Sequence, residues 1–219
     1  MRRIFKTLVS TVLVCALGSP LAFASSESPK LFEKIDNKSF VFKEEKTVKF
    51  EVLYFFNLNC LSCKNFEPYL KDWKSDLPSD VSFHSVPYSP SGSWQWANLA
   101  FFAAKLIDPS MTQETLSLAA KKYNKAIVNI DSASLFLTTT FHIKSGIIPP
   151  EIYSKNVIDL NEYGSEIGSK FGVIGTPSIV LIPRNGATYR ISPEFVKTYK
   201  GILNITDALI AFNSKRTNE

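Results

Sequence analysis

The sequence predicts an α/β protein: one sheet interrupted by a helical insertion. Three observations carry this reading. Lys49 to Asn57 is an apolar, aromatic and β-branched run, the texture of a strand buried on both faces. Ser178 to Ile182 is a second compact β-branched run, followed by the hairpin turn pair Asn185-Gly186. Between them, from about residue 90 to residue 171, apolar residues recur at helical rather than alternating spacings.

The N-terminus comes first and reads as a secretory signal peptide. Arg2, Arg3 and Lys6 form a positive region, Leu8 to Leu17 an apolar stretch, and Ala22-Phe23-Ala24 a small-x-small cleavage site. Cleavage after Ala24 leaves 195 residues starting at Ser25. Other readings stay open: an uncleaved anchor, although the apolar run is short for a span; a lipoprotein at Cys15, although Val14 stands where a small residue is wanted; and a twin-arginine signal at Arg2-Arg3.

Phe40 to Lys43 is a possible short strand, with Lys43-Glu44-Glu45-Lys46 as a turn before the central strand. From Cys60 the texture changes. Cys63, Phe66, Tyr69, Leu70 and Trp73 fall at helical spacing, so a helix should run to before Pro78, kinked at Pro68. Val81 to Val86 alternates as a second strand. Trp94 to Ile107, Met111 to Lys125, Ser132 to Ile143 and Leu160 to Phe171 read as helices, broken at Asp108-Pro109 and Pro149-Pro150. Ala187 to Ile191 returns as a strand. Ile205 to Asn213 reads as a last helix, capped near Asn204 or Thr206. The implied organisation is a signal peptide at 1–24, a sheet domain made of 25–89 and 172–219, and a helical insertion at 90–171.

Composition narrows the function. The chain has 219 residues, 45% hydrophobic and 21% charged, which excludes a wholly disordered chain and a multi-span membrane protein. Its net charge is +5, but without Arg2, Arg3 and Lys6 it holds 22 basic against 20 acidic residues, or +2. No Lys/Arg-dense run accompanies that small excess, so nucleic acid is not an expected partner. No glycine loop cradles phosphate and no Ser-His-Asp arrangement emerges, so no cofactor is predicted.

The cysteines carry the chemistry. Of three, Cys15 leaves with the signal peptide, and the two that remain form Cys60-Leu61-Ser62-Cys63. A zinc site needs four ligands, and the only histidines, His84 and His142, are far apart, so no metal is predicted. A structural disulfide across so short a loop constrains the unfolded chain little. A reactive dithiol fits better. Cys60 falls where a buried strand meets an amphipathic helix, and there free backbone N–H groups and the macrodipole favour a thiolate. Cys63 lies three residues on, one helical turn below and within disulfide reach, as a less accessible resolving thiol. Gly172 to Pro177 reads GVIGTP directly before the second buried strand. Its proline is either an ordinary loop residue or a cis-proline set opposite the dithiol.

Together the signal peptide, the YFFNLNCLSCKNFEP segment, the helical insertion and GTPS before a hairpin resemble the DsbA-type thiol:disulfide oxidoreductases across essentially the whole mature chain. The resemblance implies a thioredoxin fold with an inserted helical domain, Cys60 as nucleophile and Cys63 as resolving cysteine. It also implies a cis Thr176-Pro177 peptide whose loop pairs with an extended substrate, and Pro68 as the kink proline of the active-site helix. Implied partners are cysteine-containing exported proteins and a membrane redox protein, either a quinone-linked oxidase or a thiol donor. The implied compartment is the periplasm.

Four positions depart from the pattern. Leu61-Ser62 stands where DsbA oxidases usually carry Pro-His, so no cation supports the Cys60 thiolate and a less oxidising couple is expected. Tyr54 stands where those oxidases tend to place a buried acid. Thr176 resembles the isomerase and reductase branches, where oxidases often have valine. No separate N-terminal dimerisation domain is evident. Direction therefore stays open between disulfide formation and reshuffling, and a peptide-binding, chaperone-like module without redox turnover is the alternative. His84 and His142 read as structural or exposed. Trp94, Trp96, Phe101 and Phe102 read as helical-block core, with a substrate groove as the other possibility. Glu151, Asp159 and Glu162 read as a solvated rim, and Gly164, Gly168, Gly172 and Gly175 as backbone punctuation.

Overall fold

A computed structural model of the chain describes residues 30–35 and 47–216. The segment read as a signal peptide, and the strand and turn expected over residues 40–46, lie outside the described residues. The strands are β1 (Glu33–Ile35), β2 (Phe50–Phe56), β3 (Val81–Pro87), β4 (Ser178–Pro183) and β5 (Thr188–Ile191). They form one mixed sheet in the order β1-β5-β4-β2-β3. β2 runs parallel to β3 and antiparallel to β4, and the remaining pairs are antiparallel. The expected sheet is therefore present, with helices on both faces.

All seven residues of β2 are buried, six of them apolar or aromatic and the seventh, Glu51, bonded to His84. The strand's alternation still divides the core. Phe50, Val52, Tyr54 and Phe56 face the larger cluster, which runs without a break into the helical block. Leu53 and Phe55 face a smaller one with Phe171, Val173, Val180 and Ile182.

Five helices stand between β3 and β4: α2 (Gln95–Ile107), α3 (Gln113–Tyr123), α4 (Ile130–Phe141), α5 (Ile148–Ile152) and α6 (Lys155–Lys170). They are numbered after α1 (Leu61–Ser75), which follows β2, and precede α7 (Tyr199–Arg216), which closes the described chain. Several boundaries move from those expected. Pro149 and Pro150 do not break the region but open α5, where a missing N–H is harmless. α6 begins at Lys155, capped by the Ser154 hydroxyl, which accepts from Val157 N–H. α7 begins six residues before the expected Ile205, because Thr198 Oγ1 accepts from Gly201 N–H at 3.1 Å. Thr206 is an interior residue of that helix. β1 was not expected at all. It is three residues long and is tied to β5 by the ion pair of Glu33 with the buried Arg190.

The glycines of α6 also differ from expectation. Gly172 does end the helix, at φ +62°, with Val173 N–H bonding Gly168 C=O and Gly172 N–H bonding Ser169 C=O. Gly164 and Gly168, however, are contact residues and not punctuation. A Cβ on Gly164 would lie 2.6 Å from the Pro87 carbonyl oxygen, and one on Gly168 would run into the Tyr88 ring. That ring is pinned by its hydroxyl, which donates to Val173 C=O at 2.7 Å. Gly164→Ala should therefore destabilise by about 1–3 kcal/mol, despite a helix-propensity gain of about 1 kcal/mol. Thermal melting checks this: a higher Tm in the variant contradicts the close approach.

Candidate active site

The site grows out of the junction between β2 and α1. After Phe56 the strand meets its end and the chain turns: Cys60 N–H donates to Asn57 C=O at 3.0 Å, and Asn59 N–H to Asn57 Oδ1 at 2.9 Å. Cys60 keeps an extended backbone and caps α1, its sulfur accepting from Cys63 N–H at 3.0 Å. Cys60 and Cys63 are joined by a disulfide, their Cα atoms 5.2 Å apart. The expected contrast in access is slight, since Cys60 is 3% exposed and Cys63 1%. Leu61 and Ser62, between them, face solvent.

A second segment reaches the dithiol from the far end of the chain. The Thr176-Pro177 peptide is cis, and the Thr176 carbonyl oxygen lies 3.4 Å from the Cys60 sulfur across 116 residues of sequence. Ser178 Oγ, opening β4, donates to Gly175 C=O at 2.7 Å and fixes this loop. Leu61 and Ile174 are about two-thirds exposed, at 67% and 68%, one on each of the two segments that meet at Cys60.

The remaining candidates stand apart from these contacts. His84 lies on β3, its Nε2 2.7 Å from Glu51 Oε2, and His142 ends α4 in the left-handed region. Phe101 is core, edge-on to Phe56 at 5.2 Å, whereas Trp94, Trp96 and Phe102 are half-buried. Asp159 pairs with Lys155, and Glu151 accepts from Ser154. Among the described residues no group of three or more His, Cys, Asp or Glu could hold a metal ion.

Sequence reasoning missed a set of buried polar groups around the site. Lys64 and Glu67 lie on the buried side of α1, and Asn57 and Asn98 are 1% exposed. Burial lowers the pKa of Lys64. Burial likewise pushes the Glu67 carboxyl up, opposed by Gln113 Nε2, which donates to Glu67 Oε2 at 2.7 Å. Tyr54 is fully buried, stacks with Phe56 and packs edge-on to Phe66. Its phenol is pushed well up, by burial first and by the Glu67 charge second. The signal that could have found Asn57 is its place: a lone amide directly after the five apolar residues Val52 to Phe56.

A pH prediction follows from Glu67. Its pKa is higher folded than unfolded, so stability falls as pH rises from the ordinary carboxylate value towards the raised one. Glu67→Gln removes that loss and can still accept from Gln113. The variant should be the more stable protein at neutral pH, and the gap should close in acid, where Glu67 is protonated in both states. For a domain of this size each kcal/mol appears as about 2–4 °C in Tm. Parallel pH profiles for the two proteins would contradict the assignment.

No protein-family model matches the chain. Among curated proteins it is similar to the thiol:disulfide interchange protein DsbA of Azotobacter vinelandii, 44% identical over 165 residues that span 74% of each chain. The DsbA of Bordetella pertussis is 20% identical over 210 residues, covering 95% of this chain and 98% of its own. Among solved structures, Pseudomonas aeruginosa DsbA superimposes with a TM-score of 0.72 at 21% identity, over 87% of this chain and 95% of that one. The Neisseria meningitidis oxidoreductase NmDsbA1 gives 0.67 at 15% identity, over 88% and 96%. These structural likenesses bear on the fold.

Proposed function

The chain belongs to the DsbA family of thiol:disulfide interchange proteins, and on that premise we propose that it donates disulfides to cysteine-containing proteins in the periplasm, with Cys60 as nucleophilic sulfur and Cys63 as resolving sulfur. It is a thiol:disulfide oxidoreductase with the thioredoxin fold and an inserted helical domain. One observation carries the assignment of roles. The Cys60 sulfur sits at the N-terminus of α1 against Cys63 N–H, and faces the carbonyl of Thr176 before the cis-proline.

The cycle follows from that placement. A substrate thiolate attacks the Cys60 sulfur, the Cys60–Cys63 bond breaks, and Cys63 leaves as a thiolate. A second substrate thiolate then attacks the substrate sulfur of the mixed disulfide and releases Cys60. The substrate gains a disulfide and gives up two electrons, which the Cys60/Cys63 dithiol holds. The released Cys60 thiolate is stabilised by the N–H groups of the first turn of α1, and that stabilisation drives the exchange forward. Thr176 and Pro177 offer backbone to an extended substrate chain, and Leu61 and Ile174 offer it apolar shoulders. A quinone-linked membrane protein returns the dithiol to the disulfide. The Arg2 to Ala24 segment supports export with cleavage after Ala24.

The test is the equilibrium reduction potential of the Cys60–Cys63 pair against a glutathione buffer. A DsbA oxidant lies at about −120 mV and thioredoxin at about −270 mV. We expect a value on the oxidising side of that interval but below the DsbA figure, because Leu61-Ser62 supplies no cation. A value at the thioredoxin end would overturn disulfide donation in favour of reduction or reshuffling, driven by a membrane thiol donor.

A further inference from the structure

Two asparagines bracket the turn that delivers Cys60, and each ties it to a different limb of the helical insertion. Asn57 is 1% exposed, and its Nδ2 lies 2.8 Å from Asn98 Oδ1 on α2, 3.1 Å from Tyr88 C=O and 3.2 Å from Trp94 C=O. Asn98, equally buried, passes the tie on, donating to Ser89 Oγ at 3.0 Å and to Asn161 Oδ1 on α6 at 3.2 Å. The limb held here is the segment entering the insertion, together with its last helix. Asn59 turns to the other limb. Its Nδ2 donates to Ile127 C=O at 2.9 Å and its Oδ1 accepts from Ile127 N–H at 2.9 Å, between α3 and α4. One side chain thus satisfies both backbone groups of one buried residue, as a neighbouring strand would.

We propose that Asn57 and Asn59 are positioning residues for Cys60, through which the helical insertion sets the geometry that stabilises its thiolate. The proposal rests on Cys60 being the nucleophile. The Cys60 sulfur receives Cys63 N–H only while Cys60 holds its extended capping conformation, and that conformation is the last step of the turn from Asn57. A turn of four residues between a strand and a helix has few bonds of its own. Here it has Cys60 N–H to Asn57 C=O and Asn59 N–H to Asn57 Oδ1, and beyond these the two side chains bond the Tyr88–Ser89 approach to the insertion and, within it, Trp94, Asn98 and Ile127. Asparagine is the residue this needs, because it carries a donor pair and an acceptor on one short stem. An aspartate lacks the donor for Ile127 C=O, and a serine lacks the reach to bond both groups.

The experiment compares the full-length reduced protein with Asn59→Ala, following the Cys60 thiolate by ultraviolet absorbance across pH, with Tm measured alongside. Leu137→Ala, a fully buried core position of α4, is the control for a general loosening of the insertion. Asn59→Ala should raise the titration midpoint, leaving about threefold less thiolate at a pH below it, and Leu137→Ala should lower Tm without moving the midpoint. Asn59→Gln keeps the amide at the wrong length and should shift the midpoint the same way by less, and it carries the test if the alanine variant does not fold. An unmoved midpoint in the Asn59 variants overturns the proposal and leaves a structural tie only. So does an equal shift in Leu137→Ala. A wild-type protein in which Cys60 shows no titration separable from Cys63 and no exchange overturns the nucleophile assignment itself, a result distinct from either.

Discussion

Cys60→Ser is expected to reduce thiol–disulfide exchange to the uncatalysed background while the fold persists. The persistence has a local reason. Cys60 is the cap of α1, with its side chain accepting from Cys63 N–H, and serine is among the best residues for that position. The disulfide that disappears closes a loop across a separation of three residues, so its loss frees little additional unfolded-chain entropy. The loss of exchange is chemical, since a hydroxyl neither forms nor accepts a disulfide. Cys63→Ala should behave differently. As a free thiolate Cys60 attacks a substrate disulfide, one substrate sulfur leaves as a thiolate, and no neighbouring thiol resolves the mixed disulfide, so on incubation with disulfide-bonded substrate such adducts should accumulate as bands on non-reducing gels that disappear with dithiothreitol. Full biological function in Cys60→Ser would favour the peptide-binding module without redox turnover. Mixed disulfides that form equally well on Cys63 in the Cys60→Ser protein would reverse the two roles.

The cysteine pair and the two elements that hold it were legible because they rest on local signals. β2 announces itself as a run apolar but for Glu51, α1 by the spacing of Cys63, Phe66 and Leu70, and the cysteine pair by its place between them. Asn185-Gly186 likewise marks a real hairpin, with Gly186 at positive φ between β4 and β5. What escaped is set by partners distant in sequence. β1 has only three residues and no period to read. It is held by pairing with β5, and Glu33 meets Arg190 across 157 positions. The Gly164 and Gly168 contacts depend on where α6 lands against Pro87 and Tyr88. Asn59 and Ile127 are 68 positions apart, and nothing in either segment advertises the other. The beginning of α7 was a failure of another sort: Thr198 is an ordinary cap, but Gly201 inside the first turn masks the helical texture that follows.

The strength of the couple is expected to follow the residue at position 62, and Ser62→His should make the disulfide more oxidising. Ser62 is exposed in the first turn of α1, one residue before Cys63, so the substituted imidazole meets no packing constraint. A cation at a helix N-terminus is unfavourable by about 0.3–1 kcal/mol, but it is so in both redox states and drops out of the potential. The Cys60 thiolate is present only in the reduced state. A hydrogen bond from a charged donor is worth about 1.5–3 kcal/mol, and each kcal/mol moves a two-electron couple by about 20 mV. The potential should therefore rise by about 30–60 mV, taking these two constants together. The sign with pH follows from the same interaction. The thiolate raises the histidine pKa in the reduced protein, so the gain is held while Cys60 is a thiolate and the imidazole is charged, and it fades as pH rises through that raised value and the imidazole loses its charge. Potentials of both proteins at pH 6 and pH 8 test this. A gain of equal size at both would place the effect on backbone geometry rather than charge, and no gain at either would mean that the helix terminus and the turn behind it, not the dipeptide between the cysteines, set the poise of this pair.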